Sequence, residues 1–189
     1  MSTKSIGICV GHSRDGDQGA SSVGKITEWY YNWSVARHFQ EKLEEYGLKS
    51  LIVNKYEGRA YSTAIKWLAR ELQAHEIDLA VELHFNSASP GANGSEVLYW
   101  HNSKKGKKLA GCMQQAILEA FPDSKDRGIK GKEKGARGSF FLRVTHCPAV
   151  LVEPFFGSSV KDWETFKSAQ RQLGYAYAEA VNNFLSDKT

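Results

Sequence analysis

The feature that most constrains this chain is the alternation of short apolar segments with longer segments of helical periodicity. Six short runs are typical of strands, at residues 5–10, 50–54, 78–84, 95–100, 140–143 and 149–152. Four segments carry apolar residues at helical spacing: the one between the capping residue Thr27 and Gly47, and residues 62–75, about 105–119 and 161–185. Strands that alternate with helices favour a sheet with helices on both faces. The sequence therefore predicts a three-layer α/β sandwich with a central, mostly parallel mixed sheet of about six strands.

The composition excludes several other classes of protein. The 189 residues are 41% hydrophobic and 12% aromatic, which is typical of about one folded domain and not of a disordered chain. No apolar run approaches the roughly 20 residues that a membrane helix needs, so no stable membrane insertion is expected. The three cysteines (Cys9, Cys112 and Cys147) are too widely spaced for a disulfide framework or a cysteine-rich zinc site.

The positive charge is concentrated in one part of the sequence. The whole chain has 25 Lys and Arg against 21 Asp and Glu, whereas residues 101–139 alone hold ten Lys and Arg against four acids. This segment is either a solvated basic face or a surface that attracts an anionic partner, such as a cell-wall polymer, a membrane surface or nucleic acid. Residues 122–138 within it are rich in Lys and Gly and are typical of a long surface loop.

Of three known catalytic motifs, two are incomplete in this sequence and one is absent. The segment from Gly19 to Lys25 is close to a phosphate-binding loop, but Ile26 follows where a Ser or Thr hydroxyl is needed for magnesium. His75-Glu76 begins like the helix motif of zinc proteases, but Leu79 stands where the second histidine is needed. The sequence has no Gly-x-Ser-x-Gly motif for a serine hydrolase.

Four polar residues at the ends of predicted elements form a more coherent set. His12 follows the first strand, His84 closes the strand at residues 78–84, Glu153 follows the run at 149–152, and Glu28 lies in the first turn of the first long helix. Functional residues of open α/β sheets collect outside the carboxyl ends of the strands. Two imidazoles and one carboxylate form a known zinc set with an open fourth position, and a further carboxylate supplies a proton acceptor. Each residue also has a purely structural alternative, such as a helix-dipole contact for Glu28.

Several short motifs occur in a characteristic order along the chain. They are the Gly11-His12 loop ending in Asp17-Gln18-Gly19-Ala20, the helix residue Glu28, His84-Phe85-Asn86-Ser87, Asp126-Arg127-Gly128-Ile129-Lys130, Phe141-Leu142-Arg143, and the run from Pro148 to Glu153. In this order the motifs resemble the zinc-dependent N-acetylmuramoyl-L-alanine amidases of bacterial autolysins and phage endolysins (amidase type 3). The resemblance extends from about Lys4 to Leu185. Glu82 departs from it, because a small polar residue is common at that position in the family.

The resemblance implies a specific reaction. One Zn²⁺ held by His12, Glu28 and His84 would activate water, and Glu153 would act as the catalytic proton acceptor. The bond cleaved would be the amide between N-acetylmuramic acid and the L-alanine of the peptidoglycan stem peptide. The implied fold is phosphorylase/hydrolase-like, with residues 1–189 as a single catalytic domain and no separate wall-binding domain.

Six further residues are candidates for supporting roles around this site. Strand alternation places Glu82 on the same side as His84, so it is either a partner of that ligand or a rival for the role of base. Asn86 either orients a ligand or substrate or merely caps its loop, and Asp17 is expected to organise the His12 loop. The candidates for contact with substrate carboxylates are Arg127, Lys130 and Arg143, for which a solvated role is an equal alternative.

Three other functions remain open at this point. The chain is alternatively a zinc carboxypeptidase or aminopeptidase, or a non-catalytic module that binds peptidoglycan through its Lys-rich loop. Nucleic-acid binding is the weakest alternative and is not expected. Bacterial peptidoglycan is the expected partner, and a monomer is favoured. The sequence begins without a signal-peptide pattern, which predicts synthesis in the bacterial cytoplasm and action on the wall after release, by phage or mother-cell lysis.

Overall fold

A computed structural model describes residues 3–56, 61–89 and 91–186 of the chain. Its helices and strands alternate along most of the sequence. In chain order they are β1 (Ser5–Val10), α1 (Glu28–Glu45), β2 (Lys49–Val53), α2 (Tyr61–Ala74), β3 (Leu79–Leu83), β4 (Ser95–Trp100), α3 (Lys104–Ala120), β5 (Asp126–Lys132), α4 (Ser139–Val144), β6 (Ala149–Glu153), α5 (Val160–Phe166) and α6 (Gln170–Leu185).

The six strands form one mixed sheet in the order β2-β1-β3-β6-β4-β5. Strands β2, β1, β3 and β6 are parallel neighbours, whereas β4 pairs antiparallel with β6 and parallel with β5. The carboxyl ends of β1, β3 and β6 therefore lie side by side at one edge of the sheet. The predicted mostly parallel sheet of about six strands is confirmed.

Alternate residues of each strand face two separate apolar clusters, which makes the sheet the middle of three layers. In β1, Ile6, Ile8 and Val10 belong to the larger cluster, together with α1, α3, α5 and α6. Cys9 faces the opposite side, where Ile65 and other residues of α2 pack with α4. Because both faces are covered, the central strands are buried along most of their length, as their apolar sequences predict.

One of the predicted strands and one of the predicted helices are wrong. Residues 140–143 were predicted as a strand but lie in helix α4, which begins after Gly138 in the left-handed conformation at φ 77°. Three apolar or aromatic residues in a row, here Phe140, Phe141 and Leu142, fit a buried strand and a buried helix equally well, so periodicity does not separate the two. The single helix predicted over residues 161–185 is two helices, because α5 ends at Phe166 and α6 begins at Gln170. The apolar stripe of the predicted helix continues from α5 into α6, and at the break the backbone N–H of Ala169 donates a hydrogen bond to the carbonyl of Phe166.

The prediction of residues 122–138 as a long surface loop is also wrong, because the segment contains β5, the outermost strand of the sheet beside β4. Its sequence, Asp-Arg-Gly-Ile-Lys-Gly-Lys, carries the charges that protect an exposed edge strand from pairing with another chain.

Thr27 does precede helix α1 as predicted, but its side chain makes no capping hydrogen bond. None of the helices in the described ranges has both the length and the apolar composition to cross a bilayer.

Candidate metal centre and catalytic cleft

Three residues far apart in sequence meet at the carboxyl edge of the sheet. His12 follows β1 by two residues, His84 directly follows β3, and Glu28 is the first residue of α1. Since β1 and β3 are parallel neighbours, the two histidines leave the sheet side by side. One nitrogen of each histidine and one carboxylate oxygen of Glu28 lie within 4.8 Å of one another. The three side chains that were predicted as metal ligands are therefore brought together.

Glu28 is the centre of this cluster. Its Oε1 atom lies 2.7 Å from Nδ1 of His84, and its Oε2 atom lies 3.3 Å from Nε2 of His12. The backbone N–H groups of Phe85 and Ala20 donate to the same two oxygens at 3.2 and 3.1 Å. Glu28 is 2% exposed, so its carboxylate is held in one orientation by four neighbours in a dry environment. A rigid arrangement of two imidazoles and one carboxylate fits a divalent cation such as Zn²⁺.

The pKa values of the cluster reflect this mutual contact. Burial would raise the pKa of Glu28, but its hydrogen bonds to His12 and His84 outweigh burial and hold the pKa far below its ordinary value. Burial would lower the pKa of His84, but the contacts with Glu28 and Glu82 outweigh it and raise that pKa well above its ordinary value. The pKa of His12 is raised for the same reason, with Glu28 as the main opposing partner to burial. The buried anion of Glu28 thus favours positive charge between the two rings, which a metal ion also supplies.

The loop between β1 and α1 closes tightly over the cluster. His12 itself has a left-handed backbone at φ 67°, an uncommon conformation for a residue with a side chain. Asp17 accepts a hydrogen bond from the backbone of Gly19 at 3.0 Å and places Oδ2 3.2 Å from Nδ1 of His12. Asp17 therefore contacts both the loop backbone and the His12 ring, and its role as the organiser of this loop stays a prediction.

Gly19 is expected to tolerate no larger residue. Its backbone has φ +76°, and a Cβ atom there would lie 2.6 Å from the His12 ring and 2.7 Å from Oε2 of Glu28. We expect Gly19→Ala to lower the free energy of unfolding by roughly 2–5 kcal/mol, from left-handed backbone strain and overpacking together. Gly47→Ala is the matched control, because φ there is +71° and no atom lies within 4 Å of the added Cβ. Urea unfolding of both metal-free variants measures the difference; equal losses would contradict the close packing at Gly19.

Glu153 lies at the carboxyl end of β6, the strand next to β3 in the sheet. It is the last residue of β6, is 6% exposed, and has an Oε2 atom without a hydrogen-bond partner among the described residues. Burial raises the pKa of Glu153 above its ordinary value, although nearby His84 and Arg137 oppose the shift. Glu153, His12 and His84 line the same cleft, which has a volume of about 500 Å³. A carboxylate with a free oxygen and a raised pKa is suited to accepting a proton in this cleft.

The opposite wall of the cleft is cationic and aromatic. It is lined by Lys134, Arg137 and Arg143 together with Tyr61 and Phe140. Of these, only Arg143 was singled out from the sequence. The concentration of Lys and Arg in residues 101–139 was the signal for Lys134 and Arg137, but it does not show which of ten cations face the site.

The other sequence candidates lie around the cluster and not in the cleft. Arg127 donates to Glu96 at 2.8 Å and stacks on Phe156, so its charge is already paired. Lys130 is exposed on the edge strand β5 and does not line the cleft. The Asn86 side chain contacts the backbone of Ser87 and the carboxylate of Glu96, which matches the loop-capping alternative. Glu82 lies behind His84, buried beneath the cleft.

An α/β sheet that gathers two histidines, a glutamate and an adjacent free carboxylate at one edge defines the class of candidate metal-dependent hydrolases. Within that class the sequence identifies the family. The family model of N-acetylmuramoyl-L-alanine amidases (Amidase_3) matches residues 6–183, so the chain belongs to that family and is a peptidoglycan amidase. The resemblance predicted from the ordered motifs is confirmed. No curated protein is similar enough in sequence to be matched.

Solved structures of amidases share this fold. The catalytic domain of the CD27L endolysin, which targets Clostridia Difficile, is 27% identical, with 95% of this chain and 97% of that chain covered and a TM-score of 0.79. The CwlD amidase of Clostridioides difficile, solved in complex with the GerS lipoprotein, is 19% identical over 98% and 100% of the two chains, with a TM-score of 0.86. Amidase AmiC2 of Nostoc punctiforme is 23% identical over 97% of both chains, with a TM-score of 0.81.

Proposed function

We propose that the amidase reaction of this chain depends on one Zn²⁺ ion held by His12, Glu28 and His84, with Glu153 as the catalytic base. The observation that carries the proposal is the meeting of three ligand atoms within 4.8 Å, beside a buried carboxylate with an unpartnered oxygen in the same cleft. A metal centre and an adjacent proton acceptor are the two components that metal-dependent hydrolysis of an amide uses.

The residues of the chain divide the reaction between them. A bound Zn²⁺ would supply Lewis-acid polarisation and lower the pKa of water. Glu153 accepts a proton from the water that attacks the lactyl carbonyl of N-acetylmuramic acid. As the carbon–nitrogen bond breaks, Glu153 returns that proton to the departing amino group of L-alanine. The products are a free lactyl carboxylate on the sugar and a peptide with a new amino terminus.

The cationic wall of the cleft provides a place for the stem peptide. Arg137, Arg143 and Lys134 have no acidic partner within hydrogen-bonding distance among the described residues, and all three border the cleft. We assign them to the attraction and orientation of carboxylates on the peptide side of the scissile bond. Arg127 and Lys130 have no part in this assignment, since one is paired with Glu96 and the other lies outside the cleft. The single catalytic domain predicted over residues 1–189 stays a proposal, and the family model matches residues 6–183 of it.

Digestion of purified peptidoglycan, followed by mass spectrometry, tests the reaction. We expect release of peptides that begin with L-alanine, loss of activity after treatment with a chelator, and recovery on addition of Zn²⁺. Cleavage of glycan-free peptides would favour the exopeptidase alternative. Binding to cell walls without new alanine amino groups would favour a non-catalytic module, and activity that survives complete metal removal would contradict the proposed centre.

A further inference from the structure

Glu82 is a buried carboxylate for which the proposed reaction has no use. It is the next-to-last residue of β3, the strand between β1 and β6, and is 2% exposed. Its Oε1 atom accepts a hydrogen bond from the hydroxyl of Tyr56 at 2.9 Å. Its Oε2 atom is buried and has no hydrogen-bond partner in the described part of the chain. Burial of a carboxylate is costly unless its oxygens are satisfied, so the second oxygen requires an explanation.

The unpartnered oxygen faces the back of a metal-ligand candidate. Oε2 of Glu82 lies 3.6 Å from Nε2 of His84, whereas Nδ1 on the other side of the same ring lies 2.7 Å from Glu28. The His84 ring is therefore placed between two carboxylates. Glu82 is not among the residues that line the cleft, so its position does not suit a base acting on substrate.

The distance of 3.6 Å is slightly too long for a hydrogen bond. Metal–ligand bonds of about 2.0–2.2 Å at tetrahedral angles separate neighbouring donor atoms by roughly 3.3 Å. Nδ1 of His84 and Oε1 of Glu28, at 2.7 Å, are closer than that. Because the ring lies between the two carboxylates, a shift of a few tenths of an ångström away from Glu28 would bring Nε2 within hydrogen-bonding reach of Oε2.

We propose that Glu82, anchored by Tyr56, is a positioning residue that accepts a hydrogen bond from Nε2–H of His84 and so keeps Nδ1 facing the metal. The inference rests on the proposed metal centre. Carboxylates behind metal-bound histidines fix the tautomer and orientation of the ring, and their loss commonly weakens metal binding by about 10–100-fold. Asp17 stands in the same relation to His12, but its side chain is 82% exposed and that of Glu82 is 2% exposed. The buried contact is expected to matter more, because water does not screen it.

Zinc affinity, measured by competition with a chromogenic chelator, tests this role without reference to activity. We expect Glu82→Met to raise the zinc dissociation constant by about 10–100-fold, and Glu82→Gln, which keeps a neutral acceptor, to raise it by less. Tyr56→Phe releases the anchor and is expected to give a smaller loss in the same direction. Asp17→Asn is the matched comparison, with a smaller loss than Glu82→Met because of its exposure.

Two further measurements separate positioning from a merely structural role. A structural role predicts that the metal-free Glu82→Gln variant unfolds at lower urea concentration than the wild type. Positioning predicts that the folded metal-free variant binds zinc more weakly than the wild type whether or not its stability has changed. Nitrogen NMR of the zinc-loaded proteins is expected to show His84 bound to zinc through Nδ1 in the wild type, and a mixture of rings bound through Nδ1 and through Nε2 in Glu82→Met.

The outcomes distinguish this inference from the proposed function. If the wild type binds no zinc, the proposed metal centre is wrong. If the wild type binds zinc and both Glu82→Met and Tyr56→Phe bind it equally well, the centre stands and Glu82 has no positioning role. Should one variant fail to fold, the affinity of the other decides the question.

Discussion

Replacing Glu153 with glutamine is expected to lower kcat by about 10²–10⁴-fold while zinc content stays at the wild-type level. The substitution keeps the size of the side chain but removes its negative charge and its capacity to accept a proton. Glu153 is buried at the end of β6, and its Oε2 atom has no partner among the described residues, so no hydrogen bond is lost with it. The zinc-loaded variant should bind peptidoglycan normally, because none of the three ligand atoms has changed.

The measurement is the rate of alanine amino-group release from peptidoglycan, paired with elemental analysis of the same sample. Glu133→Gln is the matched control, since it makes the same chemical change at an exposed position in the basic segment. That control should retain wild-type activity. Full lytic activity in Glu153→Gln would remove Glu153 from the reaction, and loss of zinc in it would assign Glu153 to the metal site instead.

The positions of the four central residues could be predicted because of a general property of parallel sheets. His12, His84 and Glu153 each follow or end an apolar strand, and parallel strands bring their carboxyl ends to one edge. The sequence does not state which strands are neighbours. The order β1-β3-β6 places these three residues in adjacent positions, and only the structure supplies that order.

The partners of the central residues depend on contacts that sequence patterns do not encode. Tyr56 reaches Glu82 from the segment after β2, and nothing in its sequence context indicates that contact. Arg127 looked available for substrate, but Glu96 on the neighbouring strand β4 neutralises it. The cations of the cleft wall come from the segment that precedes α4 and from α4 itself, where a strand was predicted. Short apolar segments and paired charges are thus the features for which tertiary packing decides the outcome.

Replacing Glu28 with glutamine is expected to abolish both metal binding and activity. Among the residues that the structure describes, this carboxylate is the only anion that contacts both histidine rings, at 2.7 and 3.3 Å, and it is 2% exposed. An amide of the same size is a far weaker ligand, and its NH₂ group would face one of the rings. Losing a residue that binds the metal directly should lower zinc affinity by more than the roughly 10–100-fold that is typical when a residue behind a ligand is lost. We therefore expect zinc affinity to fall by more than about 100-fold.

Glu44→Gln, at an exposed position on the same helix α1, is the matched control for this change in charge. It should bind zinc and hydrolyse peptidoglycan like the wild type. Competition with a chelator gives the affinities, and raising the zinc concentration distinguishes two causes of inactivity. If excess zinc restores full activity to Glu28→Gln, the carboxylate contributes to affinity alone. If Glu28→Gln retains wild-type affinity, the cluster of His12, Glu28 and His84 is not the metal centre, and the mechanism built on it fails at its first step.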